Sequence, residues 1–150
     1  MFWENLAPYR ILISGLSAWW LAQVLKPLFY YWTSRRWNWG MWISAGGMPS
    51  SHSSLVVSTA VAIGLFSGFE TPAFAVSLAV AMIVVYDAAG VRRQAGIHAQ
   101  RINMMLNELF SGHPISQEAL KEVLGHTPRQ VIAGIFLGIL VPVLIYFLWP

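Results

Sequence analysis

Four long apolar stretches alternate with polar segments along the chain, and their lengths predict membrane-spanning helices. The first covers about residues 11–32, with Trp19 and Trp20 inside it; Lys26-Pro27 interrupts it late, where a kink or an early exit is expected. The second covers about 50–69, and Gly68 with Glu70-Thr71-Pro72 predicts a short turn behind it. The third, about 73–91, reads AFAVSLAVAMIVVYDAAGV; the fourth, about 130–149, reads QVIAGIFLGILVPVLIYFLW. The last three are 19 or 20 residues long, close to the ~20 needed to cross a bilayer. Small residues recur inside them (Gly64, Ala75, Ala79, Ala88, Ala89, Gly134, Gly138), which suits close helix packing. A polar segment, about 92–129, separates the third and fourth spans. Within it, Ile102, Met105, Leu106 and Leu109 recur at helical spacing, predicting an amphipathic surface helix over 100–110. Ser111-Gly112-His113-Pro114 reads as a turn and 116–124 as a short helix capped by Ser116. The expectation is an all-α integral membrane bundle of four transmembrane helices plus amphipathic surface helices, forming one membrane domain over 1–150.

Composition agrees. The 150 residues are 57% apolar and only 10% charged, well under half of the usual ~25%. A soluble domain of this size needs more polar surface. The eight Trp and five Tyr suit anchoring at bilayer interfaces. Basic residues are scattered singly or in pairs, so the net charge of +3 does not suggest a nucleic-acid partner. With no Cys, disulfide, thiolate and zinc–cysteine chemistry are excluded. Met1-Phe2-Trp3-Glu4 lacks a basic n-region, so no removable signal peptide is expected, and the first span serves as the membrane signal.

Basic residues set the orientation. Arg35 and Arg36 lie between spans one and two; Arg92, Arg93, Arg101, Lys121 and Arg129 lie between spans three and four; the opposite side has only Arg10. The positive-inside rule then puts both basic loops in the cytoplasm, or in the stroma of a plastid-type membrane, with both termini on the other side. A bacterial inner membrane or a thylakoid-type membrane fits.

Two segments on the basic side carry the candidate chemistry: Gly47-Met48-Pro49-Ser50-Ser51-His52-Ser53 and Gly125-His126-Thr127-Pro128-Arg129-Gln130. Each places a histidine at the start of an apolar helix, where unpaired N–H groups and the macrodipole favour an anion. Two such histidines form a phosphate site with a nucleophile and a proton donor. Pro49 is expected in the first helical turn, Ser50, Ser51 and Ser53 supply hydroxyls, and Gly46-Gly47 let backbone approach a ligand. Thr127-Pro128-Arg129-Gln130 fits a capping box, which by itself accounts for Gln130 as well as an orienting role would. Asp87 is the acidic residue inside a span and so a functional candidate, while Arg92 and Arg93 suit phosphate binding or headgroup anchoring. Lys26, near the end of span one, is read as snorkelling to the interface. His98 and His113 precede no apolar helix and rank lower. No pair has metal-binding helical spacing, so no metal and no cofactor is expected.

At these residues the chain resembles a family. Pro49-Ser50-Ser51-His52 is similar to the Pro-Ser-Gly-His motif of the phosphatidic acid phosphatase type 2 and vanadium-dependent haloperoxidase superfamily. The segment from His126 to Gly134 resembles its last motif, a His followed four positions later by Asp and an apolar helix. Ala45 through Ser53 and Tyr86-Asp87-Ala88-Ala89-Gly90-Val91-Arg92-Arg93 are similar to a divergent bacterial and plant branch labelled acid phosphatase/vanadium haloperoxidase-related. The resemblance implies that His126 attacks phosphorus to form a phosphohistidine and His52 protonates the leaving alcohol. Ser50, with backbone N–H groups near Ser51, would hold phosphate oxygens, without a metal. Three departures stand out. The carboxylate after the nucleophile is Gln130; the Ser-Arg pair upstream falls on Ala119-Leu120, with Lys121 one residue away; and the Lys motif, with Arg-Pro after six residues, finds Lys26 but Thr33. Asp87, Glu118 or Glu122 can stand in for the carboxylate, and Arg92, Arg93 and Lys121 for the cations. The first reading is thus a membrane phosphatase acting on a lipid-linked phosphomonoester or diphosphate. The alternative is a catalytically inactive relative that binds lipid or assembles a complex. Four spans bury little surface against one another, which leaves room for a homo-oligomer.

Overall fold

The computed structural model describes residues 7–44, 46–109 and 126–149, and the side chains of all of these except Ala7, Arg92, Arg93 and Asn107. Five helices organise them: α1 (Arg10–Ser34), α2 (Ser51–Ser67), α3 (Pro72–Ala89), α4 (Val91–Leu109) and α5 (Pro128–Leu148). A 3-10 turn at Ala7–Tyr9 leads into α1, and another at Trp39–Trp42 lies in the loop before α2. No strand occurs among the described residues. The architecture is the expected all-α membrane bundle. Three apolar runs, beginning at Arg10, Pro72 and Pro128, are long and apolar enough to cross a membrane, and α2 is a shorter apolar helix of 17 residues.

The boundaries follow from local chemistry. Thr71 caps α3, its hydroxyl accepting from the Phe74 N–H at 3.3 Å, and Pro72 occupies the first turn, where no N–H is required. Gly68 ends α2 at φ +106°, a conformation that side chains resist. Of the two outcomes expected at Pro27, the early exit does not occur: the helix runs on to Ser34 and stops where Arg35 turns left-handed at φ 55°. Pro49 is not in the first turn of α2 but precedes its cap, Ser50. The amphipathic helix expected over 100–110 begins at Val91, with only Gly90 between it and α3. Residues 91–99 contain Arg, Gln and Ala and no proline, so the helix propagates through the polar stretch. The turn at 111–114, the helix at 116–124, and His113, Glu118, Lys121 and Glu122 lie outside the described residues.

Helices α1, α2 and α5 form the core, and their pairings fix the directions. Lys26 meets Ser51 and Ser14 meets Ser58, so α1 and α2 are antiparallel. Ser50 meets Gln130 and Ser54 meets Gly134, so α2 and α5 run parallel and start at the same end. Hydrocarbon outside the bundle is as apolar as its interior, so helices associate through close packing and interhelical hydrogen bonds. Both are present. The Ser54 hydroxyl donates to the Gly134 carbonyl at 3.0 Å, and that of Ser58 to the Ser14 carbonyl at 2.9 Å. A Cβ at Gly134 would stand 2.5 Å from the Ser50 carbonyl oxygen, and one at Gly138 2.9 Å from that of Ser54. Ala18, Ala22, Leu137 and Val141 complete the seam between α1 and α5. At the far end the Arg10 guanidinium lies 4.8 Å above the Phe66 ring and donates to the Trp149 carbonyl, tying together the ends of all three core helices. Helix α3 returns antiparallel beside α2; Ala88 is buried, whereas Ala75 and Ala79, expected in helix seams, face outward.

Gly134→Leu is expected to cost about 1–3 kcal/mol by overpacking this seam, read as a lowered unfolding midpoint in detergent. Ala79→Leu, on the outward face of α3, should leave the midpoint unchanged. Removing the Ser58 hydroxyl (Ser58→Ala) should cost on the order of 1 kcal/mol in the same assay.

Candidate functional site

The parallel packing of α2 and α5 sets two helix N-termini side by side. His52 lies in the first turn of α2, and His126 lies just before the Thr127 cap of α5. Their rings are 6.3 Å apart between centroids and tilted by 56°. His126 is 3% exposed and His52 half-buried, so the pair sits at the mouth of the bundle rather than on open surface. These two residues, 74 positions apart in sequence, meet as the motif reading expected.

Gln130 has two tasks, and one atom performs both. Its Oε1 accepts the Thr127 N–H at 2.9 Å, the Gln half of the expected capping box. That bond orients the amide, because only its oxygen can accept from an N–H. The same oxygen faces His126 Nδ1 at 3.4 Å. A hydrogen bond to that oxygen needs the tautomer with its proton on Nδ1. The capping bond and the contact with His126 thus share one oxygen atom.

The serines of the first motif are engaged inside the seam. Ser50 is completely buried; its N–H donates to the Gln130 carbonyl at 3.0 Å, and its hydroxyl receives the Ser53 hydroxyl at 3.0 Å. Ser51 is also buried, and its hydroxyl accepts from Lys26 Nζ at 3.3 Å.

Lys26 is the residue that the sequence reading placed elsewhere. It does not snorkel: its side chain is completely buried, turned inward from α1 toward the loop and the start of α2. Besides Ser51, its ammonium donates to the Ser44 carbonyl at 2.6 Å. An ammonium carries three N–H donors, so these two bonds leave one for a ligand. A cavity of about 170 Å³ opens beside it, lined also by Gln130, Gly47, Met41, Tyr30 and Thr33. Gly47 adopts φ +94°, and a Cβ there would lie 2.7 Å from Met41 Cε, so the loop closes tightly over this space. The signal was present in the sequence: a lysine inside an apolar run is a functional candidate by default.

Asp87 is half-buried near the C-terminal end of α3, which the antiparallel α2–α3 turn brings to the same end of the bundle as His52. Arg92 and Arg93 follow in the first turn of α4, their side chains outside the described residues, as is Lys121. His98 is exposed on α4. No group of three or more His, Asp or Glu residues able to hold a metal occurs among the described residues.

The arrangement is a lysine-bearing recess at one end of a membrane bundle, with Gln130 on its lining and in contact with His126, and with the two imidazoles beside one another at the same end. An uncharacterized membrane protein of Bacillus subtilis (strain 168), YuiD, is 40% identical over 148 residues, an alignment covering 91% of this chain and 94% of that protein. No solved structure matches the chain. The Divergent PAP2 family matches residues 8–141, from the turn before α1 to well within α5, and the chain belongs to that family.

Proposed function

We propose that the protein is a membrane phosphatase that hydrolyses a lipid-linked phosphomonoester or diphosphate through a phosphohistidine. The observation that carries this reading is the pair of histidines at two parallel helix starts, with the buried Lys26 bonded to Ser51, the residue before His52. A phosphoryl group between the rings meets His126 Nε2 on one side and His52 on the other. The Nε2 lone pair forms a bond to phosphorus as the ester P–O bond breaks, and His52 gives its proton to the departing oxygen. Water then attacks phosphorus, His52 takes up its proton, and the N–P bond breaks to release inorganic phosphate. Lys26 and the N-terminal N–H groups of α2 hold the equatorial oxygens, with the Ser50 and Ser51 hydroxyls behind them. Arg92, Arg93 and Lys121 supply further positive charge, and Asp87 supplies the carboxylate that Gln130 lacks. The basic residues at this end support a site that faces the cytoplasm.

The neutral amide at Gln130 favours the second reading, an inactive relative that binds lipid or a partner, because an amide does not stabilise imidazolium as a carboxylate does. Phosphate release from lipid phosphates, by purified protein in detergent with EDTA present, separates the two. On the phosphatase reading, His126→Ala abolishes release and His52→Ala lowers kcat by about 10²–10⁴, with unfolding midpoints unchanged. Folded wild type that releases nothing from any lipid phosphate sinks it.

Lys26→Met is expected to abolish turnover while leaving the unfolding midpoint equal or higher, since a similarly long apolar side chain removes a buried cation. Gln130→Glu keeps the cap and places a carboxylate on His126 Nδ1. That favours the protonated ring, so the neutral nucleophile forms only at higher pH. The acidic limb of kcat/KM should move upward by about 1 unit or more, measured as a pH–rate profile against wild type.

A further inference from the structure

A second cavity adjoins the recess. It has a volume of about 630 Å³, within the range of ligand pockets, and lies between α1 and α5 alongside the Met48-Pro49 segment. Leu25, Phe29, Ile132, Ala133 and Phe136 form its walls. Phe29 and Met48 line both this groove and the Lys26 cavity, so the two spaces are neighbours that share a wall. Arg129 is the charged residue on the groove's lining, one residue from Gln130 in the first turn of α5. From Arg129 to Leu137 the groove follows α5 for eight residues, about 12 Å at 1.5 Å per residue. Both flanking helices are long and apolar enough to cross a membrane, so the groove runs from the headgroup level into the hydrocarbon.

We propose that this groove is the lateral entry of the site, holding one hydrocarbon chain of a membrane lipid whose phosphate lies against Lys26, with Arg129 reading the anionic headgroup at the mouth. The proposal rests on the lipid-phosphate reading above and adds the route and the residues. Charge complementarity supports it: cations stand at the end nearest the recess, and the walls beyond are apolar. A chain passing from bilayer to groove exchanges one apolar surrounding for another, so the groove contributes little affinity. Its contribution is orientation, aligning the ester with His126. The effect should therefore appear in turnover of bilayer substrates rather than of soluble ones.

The test compares hydrolysis of phosphatidate in phosphatidylcholine vesicles with hydrolysis of p-nitrophenyl phosphate by reconstituted protein. Ala133→Trp fills the groove and should lower the ratio of the two kcat/KM values at least tenfold. Ile132→Trp, at a position 64% exposed, introduces the same bulk should the first variant fail to fold. An unchanged ratio means that the groove holds bulk lipid only and overturns the proposal. In parallel, phosphatidate with a tail diazirine should cross-link within 25–29 and 132–137; adducts spread over the outward face of α3 as well would overturn the proposal. If wild type hydrolyses neither substrate, the phosphatase reading has failed, and the cross-linking pattern alone decides the groove.

Discussion

The distance at which α2 and α5 pack governs the rest of the molecule. Two helices can lie this close only where side chains are absent or very small, and Gly134 and Gly138 meet the Ser50 and Ser54 backbone there. Close approach in turn lets short hydroxyls reach across: Ser54 bonds the Gly134 carbonyl, and the Ser50 N–H bonds that of Gln130. In hydrocarbon such bonds replace the hydrophobic drive that assembles soluble cores. Because the two helices run parallel, the same contact that stabilises the bundle aligns their N-termini. The histidine pair is thus a consequence of packing, held by the most buried part of the protein rather than by a loop.

Lys26 shows how the site and the bundle share one structure. A cation within a membrane helix is costly, and it persists where polar partners meet it. Here the partners are the Ser44 carbonyl from the loop and the Ser51 hydroxyl from α2. The lysine therefore joins three segments, α1, the loop and α2, at the point where the recess opens. Gly47 and Met41 close the loop over it, so the side chain is held in one place by the same contacts that join the segments.

Gln130 illustrates a different economy. An amide oxygen held by the Thr127 N–H has a defined direction, and that direction favours the tautomer of His126 with its proton on Nδ1. A carboxylate would set the same tautomer and add negative charge beside the ring. The chain keeps the geometry without the charge, which separates orientation of the histidine from electrostatic stabilisation of its protonated form.

The sequence by itself determined the apolar lengths, the cap at Thr127, the turn at Gly68, and the two histidine motifs, because these depend on neighbours within a few residues. It misplaced Pro49 relative to the cap of α2 and the start of α4, where a cap or a polar run competes with helix propagation. Pairing was decided only by the tertiary structure. That α2 and α5 are parallel neighbours, that His52 and His126 face one another, and that Lys26 turns inward instead of snorkelling all depend on which helix faces which. A single chain of letters does not encode those distances locally. They emerge when glycine meets serine across a seam, and the site is built at its end.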